Sequence, residues 1–146
     1  LSPLPLLPRD SLAVNFGGQI ALDGYARDRR VLKPGESLQL RLYWRGLRPM
    51  RQNYSVFTHV RGDGETLWAG QDGWPQGGAA PTSAWLPGQR VEDVYTLTVR
   101  PDTPPGVLQI EVGLYDKDGQ RLQIRTADGR WTDDYIFLAK IRVIDR

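Results

Sequence analysis

The pattern that most restricts this chain is alternation. In residues 37–44 (SLQLRLYW), Leu38, Leu40, Leu42 and Trp44 take every second position, with Gln39, Arg41 and Tyr43 between them. Side chains along a strand point to opposite faces in turn, so a period of two buries one face and wets the other. The rhythm returns in residues 91–99, where Tyr95, Leu97 and Val99 share a face. It returns again in 107–115 through Leu108, Ile110, Val112 and Leu114, and in 135–144 through Phe137, Ala139, Ile141 and Val143. No segment fits the 3.6-residue period of an amphipathic helix better than it fits a strand.

Between these runs the chain is punctuated by turn residues. KPGE at 33–36, GDG at 62–64 and DKDG at 116–119 each combine a residue that presets or tolerates a tight bend with a glycine. The 16 Gly and 11 Pro among 146 residues suit many short strands. Strands joined by turns, without crossover helices, pair antiparallel. The expectation is an all-β fold: an antiparallel two-sheet β-sandwich, immunoglobulin-like or jelly-roll, of about eight strands. Residues 14–26 (VNFGGQIALDGYA) read as a strand, a break at Gly17-Gly18, and a second strand from 19. Residues 54–61 with 66–70, and 107–115 with 120–124, read as hairpins. Residues 13–146 form one domain. They follow a Pro-rich linker or arm over 1–12, in which Pro3, Pro5 and Pro8 keep the chain extended. A start at Leu1 rather than Met fits a piece of a longer polypeptide.

Composition removes several function classes. The absence of cysteine excludes disulfides, thiolate metal sites and a cysteine nucleophile. Nineteen basic residues are interspersed among seventeen acidic ones, giving a net charge of +2, which is no nucleic-acid footprint. No apolar run of about 18 residues is present to span a bilayer.

His59 is the only histidine and sits inside a strand-like run, without HxH or HExxH spacing, so a hydrogen-bonded structural role is expected. If it acts chemically, Asp63 and Asp72 are its nearest candidates. Asp116, Asp118 and Gly119 resemble the first half of a calcium loop, but the later bidentate Glu is missing and a turn explains the same residues. Arg61-Gly62-Asp63 also falls where a turn is required. Glu92, Asp93, Asp72, Asp133 and Asp134 could supply acid and base, yet spacing sets no two of them opposite one another. No catalytic residue, metal site or cofactor is expected.

The longest stretch unsuited to a strand interior is 71–88 (QDGWPQGGAAPTSAWLPG), which carries Trp74 and Trp85. Long loops held by a rigid scaffold often carry binding function. Flat aromatic rings with neighbouring Asp and Gln suit sugar stacking and hydrogen bonding. The candidate ligand-binding residues are therefore Trp74, Asp72, Gln71, Trp85 and His59, with Trp74 expected to be exposed and Trp85 expected to anchor the loop.

Several motifs in order then carry a resemblance. They are Leu42-Tyr43-Trp44, the strand reaching His59, Gln71-Asp72, Pro81-Thr82 with Trp85, Pro87-Gly88, Asp93 and Tyr95, Pro105-Gly106, and Gly113-Leu114-Tyr115-Asp116. Over roughly residues 14–144 the chain resembles the β-sandwich domain that follows the membrane part of bacterial glycosyltransferases of the protein O-mannosyltransferase and aminoarabinose-transferase type. The resemblance implies an extracytoplasmic, non-catalytic module tethered to a membrane transferase that uses a lipid-linked sugar donor. Implied partners are a glycan or acceptor protein and the parent membrane domain. The family's catalytic acids belong to the membrane part, so none is carried over. The rival expectations are a purely structural or protein–protein interaction sandwich and a secreted carbohydrate-binding protein.

Overall fold

The computed structural model describes residues 10–145, with Asp10, Ser11 and Leu12 described by backbone alone. In chain order the strands are β1 (Asp10–Phe16), β2 (Ile20–Arg27), β3 (Val31–Leu32), β4 (Ser37–Gly46), β5 (Ser55–Arg61), β6 (Leu67–Gly73), β7 (Arg90–Thr98), β8 (Gly106–Tyr115), β9 (Ile124–Arg125) and β10 (Ile136–Val143). They form two five-stranded sheets, ordered β7-β4-β2-β1-β9 and β3-β10-β8-β5-β6. All pairs are antiparallel except β3 with β10. The all-β sandwich expected from alternation is what the chain adopts. The expected linker lies outside the described residues over 1–9, and residues 10–12 belong to β1.

The alternating runs build the core. Leu38, Leu40, Leu42 and Trp44 of β4 face Ile110, Val112 and Leu114 of β8, all within one continuous apolar cluster. Phe16 meets Trp44 edge-on at 6.0 Å between ring centres, the geometry that sets a positive ring edge against a negative face. The Gly17-Gly18 break is a tight turn: both residues have positive φ, 67° and 71°, and Gln19 N donates to Phe16 O. That pair of conformations matches the twist of a hairpin, and glycine adopts it without penalty.

Three local expectations change. The second hairpin reduces to a turn and a single bridge from Tyr115 to Arg121. β5 and β10 already occupy both edges of β8, so the chain crosses over and β9 pairs with β1 in the other sheet. In β10 a bulge between Phe137 and Ala139 makes Leu138 an extra residue. Leu138 and Ala139 both turn inward, while Phe137 faces out at 42% exposure. Finally, Gln71, Asp72 and Gly73 end strand β6, so the long loop begins at Trp74.

β6 and β7 are edge strands that lie beside one another. Gln71 Oε1 accepts from Thr96 N at 2.9 Å and Arg100 N donates to Trp68 O at 2.9 Å, which ties the two edges together. Unpaired edge groups template aggregation, and here a β6 side chain and the backbone just after β7 occupy two of them.

Candidate functional site

Between β6 and β7 the chain makes two short 3-10 turns, Pro75–Gly78 and Thr82–Ala84, with no other regular structure. Polar anchors hold it down in place of a ladder. Asp93, 1% exposed on the inner face of β7, accepts from Gln76 N at 2.7 Å, Tyr95 OH at 2.5 Å and Trp44 Nε1 at 3.3 Å. Burial pushes the Asp93 carboxyl above its usual range, opposed by the three hydrogen bonds. Burial and the neighbouring Asp93 charge push the Tyr95 hydroxyl upward, so it remains a donor. Gln76 also donates its side-chain amide to Glu92 O at 2.8 Å. These bonds hold it at φ 55°, a left-handed conformation that costs a non-glycine residue on the order of 1–3 kcal/mol.

The second turn is pinned by Thr82, whose hydroxyl donates to Gln52 O and accepts from Tyr54 N, each at 3.0 Å. Ser83 N donates to Asn53 Oδ1 at 3.0 Å. Trp85 is 3% exposed, its indole N–H donating to Ala80 O at 2.9 Å. Gly46 of β4 makes room beside it, because a Cβ there would stand 3.1 Å from Leu86 O. Of the five sequence candidates, Trp85 is thus a core anchor whose ring is closed to a ligand.

Trp74, at the start of the loop, is 44% exposed. It walls a groove of about 350 Å³ with Arg51, Gln52, Asn53, Ser55 and Lys117. These come from residues 51–55, which run from the β4–β5 connection into the head of β5, and from the turn after β8, two segments distant in sequence. Thr82, bonded to the 52–54 backbone, sets the tryptophan loop against that connection.

Asp72 and His59 lie in a different groove, of about 530 Å³, with Trp68 and Arg100. Asp72 accepts from Tyr115 OH at 3.1 Å, and its other oxygen is 3.7 Å from His59 Nε2. Burial pushes the His59 imidazole below its ordinary value, with Asp72 pulling the other way. His59 packs on Phe57 at 4.8 Å, which is also covered by the Arg121 guanidinium at 4.2 Å. Gln71 is committed to Thr96 N and, through its backbone, to the Thr58 hydroxyl. The five candidates therefore divide: Trp74 fronts one groove, Asp72 and His59 another, Gln71 stitches sheet edges and Trp85 fills the core.

The partners of Trp74 were not singled out by sequence. The signal available was that residues 45–53 (RGLRPMRQN) hold three arginines and no acid. Trp131, 52% exposed, marks a third groove of about 620 Å³ beside Arg121 and Asp134, with the Arg125 guanidinium 5.5 Å from its ring. Of the other acidic candidates, Glu92 pairs with Arg41 at 2.8 Å and Asp134 with Arg121 at 3.3 Å. Asp116 Oδ1 accepts from Asp118 N and Gln120 N, closing the DKDG turn on itself. Among the described residues no group of three or more His, Cys, Asp or Glu is placed to hold a metal ion, and no helix is long and apolar enough to cross a membrane.

Comparison with known proteins gives the fold. No family model matches the sequence, and no curated protein matches it. The crystal structure of the C-terminal domain of wzt is similar with a TM-score of 0.58 at 9% identity, over 94% of this chain and 82% of that one. Weaker likenesses include Spo0M, a sporulation control protein from Bacillus subtilis, with a TM-score of 0.45 at 16% identity over 90% of this chain and 49% of that one. Another is the CARDB domain of the PF1109 protein from Pyrococcus furiosus, with a TM-score of 0.44 at 11% identity over 99% of this chain and all of that one. At these identities the first shows a shared β-sandwich and nothing of ligand or partner.

Proposed function

We propose that this chain is a non-catalytic binding module, an extracytoplasmic β-sandwich that contacts a glycan or glycosylated acceptor for a membrane glycosyltransferase using a lipid-linked sugar donor. One observation carries the binding part: a tryptophan left exposed on a loop that is otherwise tightly fixed, facing a groove of amide, hydroxyl and cationic side chains. Leaving Trp74 44% exposed forgoes part of the roughly 1.5–3 kcal/mol that full burial of a large apolar side chain contributes. A flat ring beside hydrogen-bonding groups on a rigid frame suits the apolar face and hydroxyl edge of a pyranose. The transferase context rests on the ordered motifs from Leu42 to Asp116, several of which, Thr82, Trp85, Asp93 and Tyr95, prove to be the anchors of this loop.

Titration with oligosaccharides, followed by tryptophan fluorescence and amide shifts, tests the binding part. Millimolar sugar is expected to shift Trp74, residues 51–55 and Lys117, and Trp74→Ala to abolish the response without lowering the melting temperature. No response at millimolar sugar refutes glycan contact. It then favours the second reading, a purely structural sandwich, for which the burial of Trp85, Thr82 and Asp93 speaks. The parent enzyme is tested by the reading frame upstream of Leu1, which is expected to encode a series of apolar segments of about 20 residues.

A further inference from the structure

We infer that the Trp74 groove takes an acidic saccharide, a sugar whose ring stacks on Trp74 while its carboxylate or phosphate meets Arg51 and Lys117; this rests on the proposal that the groove binds a glycan. The charged side chains that line the groove are of one sign. Arg51 and Lys117 line it, and no Asp or Glu does. An adjoining groove of about 270 Å³ shares Arg51 and Gln52, adds Arg48, and is again free of acids. None of these three cations has a carboxylate partner among the described residues.

Elsewhere on the sheets Arg41 pairs with Glu92 at 2.8 Å, Arg45 with Asp23 at 2.9 Å and Arg61 with Glu111 at 2.9 Å. Concave surfaces of one sign raise the local concentration of the opposite charge. A guanidinium binds carboxylate or phosphate through paired N–H groups, and the ammonium adds a point charge from the other wall. A neutral glycan would use the indole and the amides but leave both cations without a partner. An anion without a sugar would leave Trp74 unused. The combination of ring plate, amides and two cations fits a ligand that is both carbohydrate and acid.

The test sets acidic sugars against neutral references of matching size on the whole chain. A galacturonate tetramer supplies the carboxylate, a hexose phosphate the phosphate, maltotetraose and free hexose the neutral references, and inorganic phosphate the bare anion. At low salt at least one acidic sugar is expected to bind about tenfold more tightly than its neutral reference, a gap that closes as added salt shortens electrostatic reach. Which acidic sugar gains identifies the anion. The double variant Arg51→Gln/Lys117→Gln is expected to abolish the acidic preference, so that it binds acidic ligands no more tightly than their neutral references, with the melting temperature unchanged. Equal affinity for acidic and neutral sugars, a preference that survives the double variant, or inorganic phosphate binding as well as the acidic sugar would each overturn the inference. Trp74-dependent neutral binding without acidic preference sinks this inference alone, whereas silence toward every sugar sinks the glycan reading with it.

Discussion

Replacing Gly113 with alanine probes how the outer face of the second sheet is packed. Gly113 in β8 sits opposite Phe57 in β5, and a Cβ built there would lie 2.4 Å from two ring carbons of Phe57 and 2.9 Å from Asp134 O. The ring has little room to yield. It is 1% exposed, with His59 at 4.8 Å, Tyr115 at 6.3 Å and the Arg121 guanidinium at 4.2 Å. Overpacking of this kind costs roughly 1–3 kcal/mol. At about 2–4 °C per kcal/mol for a domain near this size, Gly113→Ala is expected to lower the melting temperature by roughly 2–12 °C. Gly73→Ala is the control, since nothing lies within 4 Å of its added methyl and the change should stay within about 0.5 kcal/mol. Phe57→Ala alone should cost about 3–5 kcal/mol. In that background the alanine at 113 meets no ring, so the ring's share of its penalty should disappear and only that of the Asp134 O contact remain, a coupling on the order of 1–3 kcal/mol in chemical denaturation. A Gly113→Ala penalty of equal size with and without the Phe57 ring would refute this account, as would no penalty in the parent chain.

Three further expectations follow from the loop anchors and the buried ionisable groups. Asp93→Asn keeps the shape but leaves at least one of three donors unmatched, so it should cost about 1–3 kcal/mol in urea unfolding and speed proteolysis within residues 74–89. Because burial raises the Asp93 carboxyl above the ordinary 3.8, the folded chain holds that proton more tightly than the unfolded one. The group's pH-linked contribution is therefore fully present below 3.8 and is lost as pH rises through the raised value, so the deficit of Asp93→Asn should shrink over that span; a deficit that grows there contradicts the assignment. Trp85→Ala should cost roughly 3–5 kcal/mol by melting or denaturant, against little for Trp74→Ala, and equal losses would mean the two rings are misplaced. For His59, whose folded value lies below the ordinary 6.5, stability should fall as pH drops from 6.5 through the lowered value. His59→Gln should flatten that limb of a melting-temperature profile, and an unchanged limb assigns it to other groups.

Alternation is a property of neighbours in sequence, which is why the sandwich was legible in the chain. Leu38, Leu40, Leu42 and Trp44 declare a face by spacing alone, and all four are buried. Turn chemistry is equally local: Gly17-Gly18 and Asp116-Lys117-Asp118-Gly119 bend where their backbone and Asx preferences direct. The two tryptophans of the loop also separated as expected, Trp74 between Gly73 and Pro75 remaining exposed and Trp85 anchoring.

Pairing across the sandwich is not local, and there sequence reading reached its end. One extra residue in β10 reverses the parity of the strand and sends Phe137 outward, a shift no period-two count can foresee. Whether residues 120–125 return to β8 depends on whether its edges are free, and β5 with β10 had taken them. The site shows the same division. Asp72 and Trp74, two residues apart, would share a face on a continuing strand, but β6 stops at Gly73 and the chain turns away, so they end in different grooves. Arg51 and Lys117, far apart in sequence, flank one ring because Thr82 and the β8 turn bring their segments together. Spacing along the chain thus decides which side chains are buried and where the backbone turns; which side chains from distant segments share a groove is decided only when the sheets pair.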